Sequence, residues 1–267
     1  MLKNKRIFYV NSRERIEGTD NSFSFKIDLD PTVKYDSVCI LSCNIPKSYY
    51  LVQDGYNTLT LTEDDTSIDI VVPPGNYSRR SFQFGLITLL NNSSPKNWVY
   101  SITYPTSGVD TGKFMYAVSG NGMIQPTFTF PPKSSIYEQM GFDYNSSNTF
   151  IGDSLISTNV LKFQLENNLF IISDIVSGTM GNDVLLSLPC GFPDYSDITY
   201  ETKEIIAQSR PLNTNNNNIY RFSLVNEDKQ FMFLNGLNMT FTLMVYQRDD
   251  IYEMMRNYIK IRLLTQN

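Results

Sequence analysis

The chain has 267 residues, of which 13% are aromatic and 18% are charged, and it contains no histidine. The aromatic content excludes a disordered chain, and the lack of histidine excludes Ser-His-Asp and Cys-His catalysis and metal centres that need an imidazole ligand. The 27 acidic and 22 basic residues give a net charge of −5, which argues against nucleic-acid binding over a broad surface.

Alternating apolar and polar residues predict short β-strands along most of the chain. The first is at 23–29, where phenylalanine, isoleucine and leucine alternate with serine, lysine and aspartate, a pattern typical of a half-buried strand. Further strands are predicted at Ser37–Ile45, Thr58–Leu61, Ile68–Val72, Val99–Tyr104, Phe114–Val118, Thr127–Phe130, Leu161–Leu165, Phe170–Ser173, Asp183–Leu188, Tyr220–Val225, Gln230–Leu234 and Asn238–Tyr246. Many short strands separated by turn signals predict a mainly β protein, built as a sandwich or a barrel.

Two or three helices interrupt the strands. Apolar residues at helical spacing predict a helix over Ser78–Asn91, and the turn before it predicts a positive φ at Gly75. A capping box that begins at Ser135 and a terminating glycine at Gly141 predict a second, short helix. The segment Asp249–Leu264 is predicted to form a helix followed by a strand.

The organisation of the chain favours one domain. No internal repeat and no break in composition divides it, so residues 1–267 are predicted to form a single domain, with a loop or insertion around 105–125. No stretch reaches the ~18 apolar residues of a membrane span, and the apolar run after the first six residues is too short for a signal peptide. These features predict an intracellular or virion-type protein without a membrane span.

The three cysteines are predicted to be free. If Cys39 and Cys43 share one strand, they lie about 13 Å apart, whereas a disulfide needs Cα atoms within about 7 Å. Cys190 has no base near it in the sequence and is expected to be a small buried residue.

Patterns that carry catalysis or ligand binding are not found. Residues 108–113 resemble a phosphate loop, but they lead into a predicted strand and not into a helix. Paired acids at 63–65, 194/197, 227–228 and 249–250 are expected to be solvated in turns or at a helix start, whereas a glycosidase needs two carboxylates facing each other across a cleft. We therefore expect no enzyme, no cofactor and no metal site. A carbohydrate-binding or carbohydrate-active sandwich is the alternative.

The first 17 residues are basic within an acidic chain. They contain two acids, Glu14 and Glu17, against five basic residues, Lys3, Lys5, Arg6, Arg13 and Arg15. One interpretation is a solvated segment. The other is an arm that contacts an acidic neighbour or packaged nucleic acid.

The order of several short motifs resembles a known family. The motifs are Ser12-Arg13-Glu14-Arg15, Ile45-Pro46-Lys47-Ser48-Tyr49-Tyr50, Gly75-Asn76-Tyr77-Ser78, Met140-Gly141-Phe142 and Leu234-Asn235-Gly236. This series resembles the penton and related minor capsid proteins of virophages and polinton-like viruses. The resemblance implies a jelly-roll β-sandwich in the virion, assembled in the host cytoplasm.

The same resemblance implies partners. It implies a homopentamer at the five-fold vertex of an icosahedral capsid, in contact with a separate major capsid protein. The basic residues Arg13, Arg15, Arg256 and Arg262 are the hypothesised assembly interface, because long cationic side chains make charge-assisted hydrogen bonds to acidic partners. The alternatives are a minor cement protein between capsomers and a carbohydrate-binding attachment protein.

Overall fold

The computed structural model describes residues 2–120, 124–176, 183–193, 196–215, 217–248 and 258. The strands are β1 (Leu2–Asn11), β2 (Glu17–Gly18), β3 (Ser22–Lys26), β4 (Ser37–Pro46), β5 (Thr58–Glu63), β6 (Thr66–Val71), β7 (Val99–Thr103), β8 (Met115–Ser119), β9 (Thr127–Thr129), β10 (Asn148–Thr149), β11 (Ser154–Ile156), β12 (Asn168–Ser173), β13 (Val184–Pro189), β14 (Asp197–Glu201), β15 (Arg210–Pro211), β16 (Ile219–Val225) and β17 (Thr240–Arg248). The helices are α1 (Arg79–Ser93), α2 (Tyr137–Met140) and α3 (Ile205–Gln208), with a 3-10 turn at Ser12–Glu14. The protein is mainly β, as its sequence predicts.

The chain forms two compact units. The first unit combines Met1–Tyr49 with Glu166–Asn267, and the second is the continuous segment Tyr50–Leu165. The second unit therefore interrupts the first between β4 and β12. The predicted insertion region around 105–125 lies within the second unit, where the chain runs from β7 to β8. The assignment of residues 1–267 to one domain stays a prediction.

The first unit has the strand order of a jelly roll. Its two antiparallel sheets run β1-β17-β4-β14 and β13-β12-β16-β3, with β15 also paired to β4 and the short β2 next to β3. If the eight main strands are numbered along the chain, these orders are 1-8-3-6 and 5-4-7-2. This interleaving of two Greek keys across two sheets defines a jelly roll, so the predicted fold class is confirmed.

The core of the jelly roll lies between its two sheets. Val10, Cys43 and Phe241 are buried on the inner side of the first sheet, and Phe23 and Phe222 on the inner side of the second. The rings of Phe222 and Phe241 meet edge to face with centroids 5.1 Å apart. Because side chains alternate along a strand, the intervening residues lie on the outer faces.

The second unit has an aromatic core. One sheet has the order β10-β9-β5-β6 and another β11-β8-β7. The core includes Tyr100, Tyr116, Phe128 and Phe150, and the Phe128 ring lies 5.4 Å from both Tyr116 and Phe150 in edge-to-face contacts. Such pairs add about 0.5–1.5 kcal/mol each beyond the apolar area they bury.

Helix α1 confirms the predicted helix, and its sequence explains its buried face and its start. Phe82, Leu86 and Leu90 recur at helical spacing and are buried, so one face packs against the core. Ser78 and Ser81 form a reciprocal capping box at the start. This motif satisfies two of the backbone N–H groups that the first turn leaves free.

Helix α2 differs from its prediction at one end only. Gly141 ends it in the left-handed conformation, with φ 79°, as predicted from its position after the helix. The helix begins at Tyr137 without a side-chain cap, so the capping box predicted from Ser135 is wrong. The Ser135 amide donates to the Tyr56 carbonyl instead.

Two predicted strands are wrong. Leu161–Leu165 is irregular, with backbone bonds from Leu161 to Gly112 and from Lys162 to Glu138. The alternation within Gln230–Leu234 does correspond to the burial of Met232 and Leu234. The backbone there forms only an isolated bridge with Val225, because the chain turns back tightly after β16.

Two other parts of the chain correct the sequence expectations. Gly75 has no positive φ, because it forms an extended bridge with Val52 through two backbone hydrogen bonds of 2.9 and 3.1 Å. The basic initial segment, for which the sequence predicts no strand, forms β1 along β17 over Leu2–Asn11, and its Lys3, Lys5 and Arg6 are exposed. The predicted helix and strand over Asp249–Leu264 lie outside the described residues.

The three cysteines are free and buried, as predicted. Burial raises the pKa of Cys39 and Cys190 and raises that of Cys43 to about 12. Burial therefore favours the protonated thiol over the reactive thiolate at all three positions.

The pKa of Cys43 predicts a loss of stability in alkali. Its thiol ionises near pH 9.0 in the unfolded chain and near 12 in the native protein. Its contribution is therefore fully present below pH 9 and lost as the pH rises towards 12, by up to roughly 4 kcal/mol. We expect urea unfolding at pH 8–10.5 to show a shallower alkaline decline for Cys43→Ala than for the wild type. Parallel curves for the two proteins would contradict this expectation.

Candidate functional site

The predicted assembly residues are divided between described and undescribed parts of the chain. Arg13 and Arg15 lie in and just after the 3-10 turn that follows β1, and both are exposed. Arg256 and Arg262 lie outside the described residues. The structure therefore places two of the four predicted residues at the same turn.

Arg15 serves the turn itself. Its guanidinium donates to the carbonyl oxygens of Ser12 at 2.9 Å and Gly18 at 3.1 Å. Asn11 caps the 3-10 turn by accepting from the Arg13 amide at 2.9 Å. The side chain of Arg15 thus ties β1 to β2, and Arg13 projects from a turn that is fixed on both sides.

Three of the five motifs that carry the family resemblance lie at one end of the jelly roll, and the other two, at 75–78 and 140–142, lie in the second unit. Just before β17, the Ser12 hydroxyl accepts from the Met239 amide at 3.1 Å and donates to the Asn238 side chain at 3.2 Å. Ser48 donates to the Leu234 carbonyl at 2.7 Å, and Asn235 donates back to the Ser48 carbonyl. Two separate sets of hydrogen bonds thus join residues far apart in sequence.

A buried lysine supports the same motif. Lys47 is 8% exposed, and its ammonium donates to the carbonyls of Cys190 and Phe192. A buried ammonium is costly unless hydrogen bonds satisfy it, so Lys47 fixes the loop after β13 to the end of β4. The sequence does not reveal this role, because lysine in a turn is normally solvated.

The outer face of the first sheet carries a polar surface, which we call the outer polar face. The register of β1, β17, β4 and β14 places two rows of side chains across this face. One row is Tyr9, Thr242, Ser42 and Glu201, and the other is Asn11, Thr240, Asn44 and Thr199. A shallow depression of about 470 Å³ lies along these rows near Tyr9 and Glu14. Its hydroxyl and amide groups can exchange hydrogen bonds with a polar ligand or a neighbouring protein surface.

Within the described part of the chain, β1 forms one edge of this sheet, and β14 together with the short β15 forms the other. Backbone groups at sheet edges are templates for pairing with another chain. Exposed apolar side chains accompany β1, where Ile7 is 51% and Tyr9 is 78% exposed. These edges are candidate pairing surfaces, and only their order in the sheet identifies them.

Sequence reasoning also missed a buried acid in the second unit. Glu63, expected to be a solvated turn acid, is 0% exposed. Its carboxylate accepts from the Tyr100 hydroxyl at 2.7 Å, the Ser94 hydroxyl at 2.7 Å and the Lys96 amide at 2.8 Å. The group holds β5, β7 and the end of α1 together. Its neighbours Asp64 and Asp65 do lie at the turn.

Among the described residues, no group of three or more acids, cysteines or histidines is placed to hold a metal ion. Within the same residues, no helix is both long and apolar enough to cross a membrane.

Comparisons with known proteins give weak similarities only. No family model and no curated protein matches the chain. Among solved structures, it is similar to the crystal structure of the mavirus penton protein, with 12% identity and a TM-score of 0.39 over 91% of this chain and 100% of the other. It is also similar to the D1-D2-D3 domains of the flagellar cap protein FliD from Escherichia coli, with 9% identity and a TM-score of 0.24 over 83% and 66% of the two chains. TM-scores this low carry no argument, so the jelly-roll assignment rests on the strand order of the chain itself.

Proposed function

We propose that the protein is a structural component of an icosahedral virus capsid and occupies the five-fold vertex as a homopentamer. The observation that carries the proposal is the jelly-roll strand order of the first unit, an architecture of viral capsid proteins that is also used by lectins and cupins. Cupin chemistry with histidine-bound metal has no ligands in this chain, which lacks histidine. The fold alone does not define a function, so the order of the sequence motifs is the second support.

Further support comes from how the motifs are used. Ser12, Ser48 and Leu234, which belong to three of the motifs, form hydrogen bonds at one end of the jelly roll, Ser12 with Met239 and Ser48 with Leu234. Shared motifs that hold a fold together are expected among capsid proteins of common origin. The proposed partners are other copies of the chain and a major capsid protein. The proposed location is the virion after assembly in the host cytoplasm.

The basic initial segment has a narrower role in this proposal. Lys5 and Arg6 lie within β1, an ordered strand of the sheet, and not on a free arm. Contact with packaged nucleic acid would then come from Arg13 and the outer side of β1, as a small phosphate-binding surface.

A reconstruction of the intact particle without imposed symmetry at the vertex tests the proposal. We expect density for this chain at the five-fold position, in contact with the surrounding capsomers. Density between capsomers away from that position would overturn the penton assignment and favour a cement protein.

A carbohydrate-binding attachment protein is the second candidate. The outer polar face favours it, because an exposed Tyr9 beside hydroxyl and amide side chains can stack on and hydrogen-bond to a sugar. A glycan array would show binding that Tyr9→Ala abolishes, without turnover of the bound sugar. An array with no binding would exclude this candidate and leave the capsid proposal unaffected.

A further inference from the structure

The backbone of β1 directs every second residue outward from the sheet edge. The Ser12 amide donates to the Met239 carbonyl. Hydrogen-bonded and non-hydrogen-bonded pairs alternate along an antiparallel ladder. In this register the even-numbered residues of β1 therefore form the backbone bonds to β17. Ile7 and Tyr9 therefore point their N–H and C=O groups away from the sheet. A register shift between Lys3 and Arg6 leaves the flat part of this edge at residues 7–11.

The backbone of β14 has the same arrangement at the opposite edge. The Lys47 amide donates to the Ser196 carbonyl, and the Thr202 amide donates to the Leu41 carbonyl. Even-numbered residues of β14 thus bond to β4, and the residues at 197, 199 and 201 point their backbone groups outward. None of these outward groups has a strand partner among the described residues.

The two edges are complementary in charge. The strand β1 contains basic residues and no acid, whereas β14 contains Asp197 and Glu201 and no basic residue. Ile7 and Tyr9 share the outer face with Asp197, Thr199 and Glu201, because the buried Val10 and Ile198 mark the inner face. Lys5 lies beside them, at the register shift of β1. Opposite charges on facing strands stabilise their pairing.

We infer that β14 of one copy pairs antiparallel with β1 of a second copy and extends the first sheet from protein to protein. Ile7 faces Thr199, Tyr9 faces Asp197, and the ammonium of Lys5 lies beside the carboxylate of Glu201. Each facing pair exchanges two N–H···O bonds, so the contact adds about four backbone hydrogen bonds. The inference names the partner surface within the proposed vertex assembly and rests on that proposed function.

Charge favours this register over a shifted one, and the direction of the strands favours antiparallel pairing. A shift of two residues in one direction would bring Lys5 next to Lys203. Within the sheet, β1 is already antiparallel to β14, so a second copy in the same orientation continues the antiparallel pattern without inversion. The contact joins two different edges and is heterologous, which is the type of contact that closes into a ring or continues as a filament.

Cysteine cross-linking of the full-length protein tests the pairing. Facing residues of a hydrogen-bonded pair have Cα atoms about 5.5 Å apart, within disulfide range. The two edges of one copy are three strand spacings apart, about 14 Å, so Ile7→Cys and Thr199→Cys in one chain cannot join within a molecule. We expect this double variant to form a ladder of disulfide-linked multimers under mild oxidation, and each single variant to stay monomeric on a non-reducing gel.

A control shifted in register sharpens the result. Tyr9→Cys with Thr199→Cys forms a diagonal pair about 7–8 Å apart and should cross-link much more slowly. A ladder from the shifted pair as strong as that from the first pair would overturn the register. Dimers from Ile7→Cys alone would show β1 pairing with itself, and the absence of a ladder from the first pair would overturn the inference.

Charge reversal gives a second measurement that needs no cross-link. Glu201→Lys and Lys5→Glu should each weaken association up to about 5-fold, and the two together should restore it. No recovery in the double variant would count against the Lys5–Glu201 contact. If the particle shows the chain at the vertex while the first cysteine pair gives no ladder, only this inference fails. If the ladder forms and the particle places the chain elsewhere, only the vertex proposal fails.

Discussion

Replacing Gly141 with alanine is expected to lower the free energy of unfolding by about 3–5 kcal/mol, because two costs coincide there. The residue has φ 79°, a left-handed conformation that is unfavourable for residues with a Cβ. A Cβ at this position would also lie 2.7 Å from the Asn159 carbonyl oxygen and 2.7 Å from the Ser157 hydroxyl. The neighbouring backbone cannot move away cheaply, since the Asn159 amide donates to the Gly141 carbonyl at 2.8 Å.

Substitutions at two other glycines separate the conformational cost from the steric cost. Gly55 has a similar φ of +78° but no atom within 4 Å of an added Cβ, so Gly55→Ala should cost about 1 kcal/mol from conformation alone. Gly75 has no positive φ, and an added Cβ would make an ordinary contact of 3.6 Å with Tyr77. Gly75→Ala should therefore leave stability nearly unchanged. Chemical denaturation of the three variants checks the order, and equal losses at Gly141 and Gly55 would contradict the proposed steric cost.

Replacing Glu63 with alanine is expected to destabilise the second unit by about 3–5 kcal/mol, because it removes the shared acceptor of three buried donors. Tyr100, Ser94 and the Lys96 amide would each lose a bond of 2.7–2.8 Å. Burial, followed by the hydrogen bond and charge of Glu63, raises the pKa of Tyr100, so this phenol stays protonated and continues to need an acceptor. Circular dichroism during urea unfolding measures the loss.

Asp65 provides the matched control for Glu63. It is an acid of the same turn, but its side chain is 86% exposed and its ion pair with Lys96 spans 3.4 Å. Asp65→Ala should leave the unfolding midpoint close to that of the wild type. In a Tyr100→Phe background, Glu63→Ala should cost about 1–2 kcal/mol less, because one donor is already gone. Equal effects of Glu63→Ala and Asp65→Ala would show that the buried network does not stabilise the fold.

Local patterns predicted most of the β-structure and helix α1, because each depends on residues that are neighbours in the chain. Alternation located β4 to within one residue at its end, and the spacing of Phe82, Leu86 and Leu90 located α1. The strand β1 was missed for a physical reason. As an edge strand with one exposed face, it shows little alternation, and its lysines and arginine are typical of both solvated segments and sheet edges.

The candidate site depended on pairings that no local pattern contains. Which strands are edges follows from the sheet order, and β1 and β14 are almost two hundred residues apart in sequence. The family resemblance selected Ser48 and Leu234 without showing that they are hydrogen-bonded to each other. Glu63 was assigned to solvent because its neighbours are turn acids, and only the approach of Tyr100 and Ser94 explains its burial.

The interruption of the jelly roll between β4 and β12 has a consequence for biosynthesis. The second unit, residues 50–165, leaves the ribosome as one continuous segment and can fold while translation continues. The sheet β1-β17-β4-β14 cannot form at that stage, because β17 bonds to both β1 and β4 and is translated after the other three strands. Until residues 240–248 emerge, β1 has no template strand and the nascent chain carries unpaired strands, which are a target for chaperones. Translation order therefore delays the first sheet, with both of its edges, until residues 240–248 have been made.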